Sequence, residues 1–258
     1  MKKGTLHMEM VRLWHTPRFL WSMFGLAVVC VASVCLEAGG QNVINVFSLI
    51  MDLNQFDLIV ILFAAVPFSG AFFEEWKNGF SINVIGRGGR EGYLTSVYVT
   101  ACVSAGVTVI MGLLLFSMLM SLTMPVHDAG VNEGYSMMMP YGRLLTDGKP
   151  WLYLGCRIYL CAMVAMLCVG IAVTASAVFP DAFTAIAFSF VAKYVLGWTT
   201  MNLPAALNIN QIMWGRQLWN ADILAHIVYV FFYVLMWLIL CFFLFRRFAL
   251  KRLSNEID

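Results

Sequence analysis

The 258-residue chain is 61% hydrophobic and 12% charged, whereas charged residues make up about 25% of an ordinary soluble domain. This composition excludes a water-soluble fold and indicates an integral membrane protein. The formal net charge of +2 is small and spread along the chain, which excludes a nucleic-acid-binding protein, because that function needs a concentrated basic face.

Residues 1–17 predict an amphipathic helix that lies on the membrane surface. Leu6, Met10, Leu13 and Trp14 recur at helical spacing, and charged residues occupy other positions around the axis. A frayed basic tail is the alternative interpretation of this segment.

The rest of the chain, residues 18–258, predicts one transmembrane domain. A helix needs about 20 apolar residues to cross the hydrocarbon core of a bilayer. Six apolar runs have about that length or more: 19–36, 56–73, 93–124, 151–179, 182–203 and 223–245. Because the runs are unbroken, they do not fit the alternating strands of a membrane barrel, so the predicted fold class is all-α. Between the last two runs, residues 204–222 mix apolar and polar side chains and predict an interfacial or re-entrant segment on the outer side.

The basic residues predict that both termini are cytoplasmic, because short loops rich in Lys and Arg stay on that side. Most of them lie before the first run, between the second and third runs, or after the sixth: Lys2, Lys3, Arg12, Arg18, Lys77, Arg87, Arg90, Arg246, Arg247, Lys251 and Arg252. The predicted outer loops hold only Arg143, Lys149, Arg157 and Arg216. We therefore expect a multi-pass protein of the cell membrane, either an inner or a plasma membrane.

The cytoplasmic loop 74–92 carries the most specific motif of the sequence. Phe72, Glu75 and Gly79 form a Phe-x-x-Glu-x-x-x-Gly element at the end of the second run, and Arg90 follows a glycine-rich turn just before the third. These residues, together with the six runs, resemble the permease subunits of type-2 ATP-binding-cassette (ABC) transporters. The chain differs from that family around Tyr98, where apolar and small residues stand in place of a frequent Lys.

The resemblance implies a permease half that exports hydrophobic or amphipathic cargo such as antimicrobial peptides, lipids or drug-like compounds. It implies a cytoplasmic ATPase in two copies, which binds ATP and Mg, and a second permease half, identical or related. Phe72, Glu75, Gly79 and Arg90 would then couple the ATPase to the membrane domain, with Glu75 and Arg90 as the two charges of the joint. The chain itself is not expected to be an enzyme, because its glycine-rich turn lacks the Gly-Lys-Ser/Thr ending of a phosphate-binding loop.

Lys193 is the basic residue deepest within a predicted span, about 18 Å along a helix from Asp181. A charge at that depth is costly in lipid, so Lys193 is a candidate for the lining of a substrate path. Packing by snorkelling or by bonds to carbonyl groups is the alternative. If Lys193 instead couples transport to an ion, the chain is a secondary carrier, which is the second functional hypothesis.

Three further patterns predict structural roles. Asp181 is expected to cap the fifth span, and Ser104, Thr108 and Gly112 on the third span and Gly170 and Thr174 on the fourth indicate close helix packing. No ligand spacing indicates a metal site: the predicted outer loop has His127, Asp128, Glu133 and a run of methionines, but a mixed loop needs no metal to explain it.

Overall fold

The computed structural model describes residues 3–37, 42–52, 56–78, 89–127, 141–179, 181–215 and 222–254. Within these ranges every regular element is a helix. In chain order the helices are α1 (Lys3–His15), α2 (Pro17–Glu37), α3 (Val43–Asp52), α4 (Phe56–Ala65), α5 (Ala71–Lys77), α6 (Arg90–Ser121), α7 (Arg143–Thr146), α8 (Pro150–Ser176), α9 (Ala182–Thr199), α10 (Ile209–Met213) and α11 (Ile223–Ser254).

Four of the helices are long and apolar enough to cross a membrane. They are α2, α6, α8 and α11, and the mean hydropathy of their most apolar windows is between 1.6 and 2.7. The helices α3 and α4 together reach the length of a fifth span but are bent by 85° at the break between them, and α9 is a shorter apolar helix. The chain is therefore an all-α, multi-pass membrane protein. Six spans and two cytoplasmic termini stay predictions.

Helix α8 lies at the centre of the bundle, where it packs against α4, α6, α9 and α11. Two glycines make the close approach of helices possible. A Cβ atom on Gly170 of α8 would lie 2.7 Å from Cδ2 of Leu238 on α11, and one on Gly112 of α6 would lie 2.8 Å from Cδ2 of Leu26 on α2. The prediction of close packing at these two glycines is confirmed, since any larger residue would push the neighbouring side chain away.

The predicted span 56–73 is interrupted rather than continuous. Helix α4 ends at Ala65, residues 66–70 form a turn, and α5 begins at Ala71. The physical reason is Pro67, which has no N–H to donate to the carbonyl of Phe63 one turn earlier. The hydroxyl of Ser22 on α2 donates to that carbonyl instead. A hydrogen bond from a neighbouring helix thus satisfies a backbone group that the proline leaves unpaired.

Helix α3 occupies a region that the sequence analysis treated as an outer loop. It is anchored to the segment after α6 by two backbone hydrogen bonds, from Val43 N to the carbonyl of Pro125 (3.0 Å) and from Ile44 N to that of Val126 (3.3 Å). Asn42 accepts a hydrogen bond from the N–H of Asn45 at the start of the helix (2.9 Å). With ten residues, α3 is too short to meet the length requirement of a span.

Side-chain caps define where the two helices that follow α8 begin. The carboxylate of Asp181 accepts hydrogen bonds from the N–H and the hydroxyl of Thr184 (2.9 and 2.7 Å), which confirms the predicted cap of α9. Helix α9 ends at Thr199, before the predicted limit at residue 203. The side chain of Asn208 caps α10, whose residues Ile209 and Ile212 are buried in the bundle.

Candidate functional site

Arginines are concentrated at the end of the bundle where α2 and α6 begin and where α11 ends, and we call this the basic end. The opposite end, where α2 and α6 end, is called the far end.

The predicted coupling residues lie at the basic end. Phe72 lies on α5, is fully buried and packs edge-on against Phe245 of α11, with ring centroids 5.3 Å apart. Arg90 is the first residue of α6 and is exposed. Gly79 lies outside the described residues.

The fourth coupling residue, Glu75, is buried, with 3% of its side chain exposed. Its carboxylate forms an ion pair with the guanidinium of Arg12 on α1, and it accepts a hydrogen bond of 2.8 Å from the hydroxyl of Tyr93 on α6. A buried carboxylate is stable only if its charge is paired and its oxygens are hydrogen-bonded. The three residues therefore connect α1, α5 and α6 at one point, and we call them the Glu75 cluster.

The structure gives Glu75 partners other than the one that the sequence suggested. Arg90 stands at the other end of the loop 74–92, and the described contacts include no hydrogen bond or ion pair between it and Glu75. Arg12 is 63 residues away along the chain, whereas Tyr93 follows Arg90 by less than one helical turn. The joint between α5 and α6 is thus made by Tyr93, and the role of Arg90 in binding a partner stays a prediction.

Two further contacts lie near the Glu75 cluster. Arg18 Nη1 lies 2.7 Å from Oε1 of Glu74, and both side chains are more than a third exposed, as is typical of a solvated pair that contributes about 1 kcal/mol or less. The guanidinium of Arg252 on α11 lies 3.8 Å from the ring centroid of Trp76, a cation–π contact that links α11 to α5.

Lys193 forms a second polar cluster, inside the bundle. Its ammonium group lies 2.6 Å from Oδ2 of Asp57 on α4 and donates a hydrogen bond of 2.7 Å to Oδ1 of Asn210 on α10. Only 5% of the Lys193 side chain and 19% of the Asp57 side chain are exposed. These residues, the Lys193 cluster, connect α4, α9 and α10, and the thiol of Cys168 on α8 lies close to both charges.

The counter-charge of Lys193 is Asp57, which was not among the residues predicted from the sequence. A signal was present, because Asp57 is the one acidic residue within any of the six predicted spans. The ion pair changes what Lys193 can do. With its charge neutralised and its side chain bonded on two sides, Lys193 can bind an anionic cargo only if the pair opens.

The far end holds further buried polar groups. Arg157 lies in the second turn of α8, not in a loop, and its guanidinium donates to the carbonyl of Trp214. Tyr141, just before α7, has a φ of 62°, which residues other than glycine rarely adopt, and its hydroxyl shares a hydrogen bond with Nδ1 of His226. Burial raises the pKa of Tyr141 above its ordinary value. These contacts connect α8 to the end of α10, and the segment before α7 to the start of α11.

Among the described residues, no group of three or more His, Cys, Asp or Glu side chains could hold a metal ion. Most of the loop considered for a metal, including Asp128, Glu133 and the run of methionines, lies outside the described residues, as does most of the glycine-rich turn before Arg90.

In comparisons with known proteins, no family model, curated protein or solved structure matches the chain.

Proposed function

We propose that the chain is the permease subunit of an ABC-type transporter and is driven by ATP binding and hydrolysis in a separate cytoplasmic subunit. The observation that carries this proposal is the Glu75 cluster. Glu75 lies on a short helix beside a loop, where a carboxylate usually faces solvent, yet it is buried and bonded to α1 and α6. Burial of a charge is costly, so the arrangement favours a mechanical joint over a solvated helix end.

The joint suits the transmission of movement from the loop to the membrane domain. Residues 79–88 connect α5 to α6 along the chain, so an ATPase bound to this loop would pull on both helices. Helix α6 has 32 residues and is therefore about 48 Å long, against about 30 Å for the hydrocarbon core. A rotation of α6 at the basic end would thus be transmitted across the whole bilayer as a rigid-body movement.

In the proposed assembly, two ATPase copies act on two permease halves, identical or related, in the cell membrane. The cargo path runs between the halves, and the cargo is a hydrophobic or amphipathic compound such as a peptide, a lipid or a drug-like molecule. This part of the proposal rests on the family resemblance of Phe72, Glu75, Gly79 and Arg90. The ATPase binds the nucleotide and Mg.

Transport in proteoliposomes tests the proposal. A fluorescent amphipathic peptide and a labelled phospholipid serve as probes, and the chain is reconstituted with and without the ATPase that copurifies with it. We expect movement of a probe only with the ATPase and hydrolysable ATP. Glu75→Gln should lower transport per ATP hydrolysed, whereas Glu74→Gln on the same helix should not. Transport that needs a proton or sodium gradient and no ATP would contradict the proposal.

The Lys193 cluster supports a second candidate function, an ion-coupled carrier. Ion pairs inside a membrane domain often mark proton or ion pathways, and the carboxylate of Asp57 lies 2.6 Å from the ammonium of Lys193 in the interior. In a carrier, protonation of Asp57 would release Lys193 during each cycle. The same proteoliposomes distinguish the two functions: an ionophore that collapses the gradient should stop a carrier and leave an ATP-driven transporter active.

A further inference from the structure

An apolar groove runs along the surface between α6 and α11 and has a volume of about 280 Å³. Its two walls are formed by side chains one helical turn apart on each helix: Thr95, Val99 and Val103 on α6, and Leu235, Ile239 and Phe242 on α11. No polar surface lines the groove. In a bilayer, the apolar group nearest to such a groove is the acyl chain of a lipid.

The floor of the groove is built so that it stays apolar. Tyr98 lies there, but its hydroxyl donates to the carbonyl of Leu238 (3.0 Å), so its polar atom is already bonded. Met166 of α8 closes the floor and lies against Gly106, where a Cβ atom would be 2.9 Å from the Met166 sulfur. Because Gly106 has no side chain, Met166 can lie low enough to leave the groove open.

The length of the groove matches one leaflet of a membrane. Thr95 and Val103 are eight residues apart on α6, which corresponds to about 12 Å, and half of the hydrocarbon core is about 15 Å thick. The groove begins near the basic end, since Thr95 lies five residues after Arg90 and Phe242 four residues before Arg246. It therefore lies at the depth of the leaflet that borders the basic end.

Arginines lie at the basic end, beyond the end of the groove. Arg247 of α11 and Arg90 of α6 are exposed, and Arg246 forms an ion pair with Glu91 at the start of α6. The exposed Arg247 follows the wall residue Phe242 by five residues, so it carries a positive charge close to the level of the lipid headgroups. Basic residues in that position attract anionic lipids.

We propose that the groove binds one acyl chain of an anionic phospholipid from the leaflet at the basic end, with its phosphate at Arg247. The exposed positive charge beside the groove favours an anionic lipid over a second copy of this chain. This inference does not depend on which cargo the protein moves or on what drives it.

The experiment measures lipid binding by native mass spectrometry of the delipidated chain in detergent. The probes are phosphatidylglycerol and phosphatidylcholine with the same acyl chains. Val99→Trp fills the groove, and Met111→Trp is the matched control, because Met111 lies on the same helix, is 42% exposed and is no part of the groove. Arg247→Gln removes the charge beside the groove. Circular dichroism and gel filtration confirm that each variant is folded.

We expect one phosphatidylglycerol molecule to bind tightly to the wild type. Its affinity should be about tenfold lower for Val99→Trp and unchanged for Met111→Trp. Arg247→Gln should weaken phosphatidylglycerol about fivefold, the effect of one basic residue at the headgroup level, and leave phosphatidylcholine unchanged. If Val99→Trp does not fold, Ile239→Trp fills the same groove from the other wall. Equal binding of the two lipids by the wild type would overturn the proposal. So would tight phosphatidylglycerol binding to a folded groove variant, or a dimer contact that crosslinks through Val99→Cys.

Discussion

Removal of one charge from the Lys193 cluster should destabilise the protein far more than removal of both. In Lys193→Met the carboxylate of Asp57 stays largely buried without its counter-charge, a change that typically costs about 3–5 kcal/mol. Because 19% of the Asp57 side chain is exposed, water can partly solvate it, and we expect a loss of about 2–3 kcal/mol. Asp57→Asn should cost a similar amount, since the ammonium group then keeps only Asn210 as a partner.

The double variant Asp57→Asn/Lys193→Met leaves no buried charge in the Lys193 cluster, so its loss should be about 1 kcal/mol, from the unpaired side-chain oxygen of Asn210. The two single effects are then non-additive by about 3–5 kcal/mol. The assay is unfolding by increasing mole fraction of sodium dodecyl sulfate in mixed micelles, followed by circular dichroism. The exposed pair Arg18–Glu74 is the matched control, and its double-mutant cycle should give about 1 kcal/mol or less. Additive effects of Asp57→Asn and Lys193→Met, within about 0.5 kcal/mol, would refute the reasoning.

Three further changes test the joint and the packing. Glu75→Ala should separate ATP hydrolysis from transport. It should also lower the stability of the protein by about 1–3 kcal/mol, because the buried hydroxyl of Tyr93 loses its acceptor. Glu74→Ala should have neither effect, and equal effects of the two changes would contradict the account. Gly170→Ala should destabilise the bundle by about 1–3 kcal/mol through overpacking, and Gly155→Ala on the same helix, with nothing within 4 Å, should not. Ser22→Ala should lower the stability by about 1–3 kcal/mol, because the carbonyl of Phe63 is left unpaired. Chemical unfolding measures the stability of the Gly170 and Ser22 variants, and an unchanged stability would exclude the corresponding explanation.

The sequence predicted well those elements that are defined by composition alone. The apolar runs behind α2, α6, α8 and α11 are long and unbroken, so their ends agree with the helices to within a few residues, except that α11 continues past Phe245 to Ser254. The interruption after α4 also had a sequence signal, because Pro67 and Gly70 lie within the predicted span. Helix α3 could not be found by searching for apolar runs of about 20 residues, because its own apolar run is only half as long as a span.

The partners of Glu75 could not be predicted from the sequence. The partner of Glu75 was sought at Arg90 because both residues belong to one loop, but the guanidinium that pairs with it comes from Arg12 in another helix. Asp57 stands out as the one acidic residue within a predicted span, but the sequence does not show that its helix faces Lys193. Ion pairs between helices depend on which faces meet, and a hydrophobic pattern determines how long a helix is more directly than how it is rotated against its neighbours.

The most direct test of the proposed function is the mass of the complex that contains this chain when it is gently solubilised from its native membrane. The account predicts a complex with two permease halves and two cytoplasmic ATPase subunits, from which removal of the ATPase abolishes transport. A complex that contains only this chain, and that transports its cargo without ATP, would contradict it.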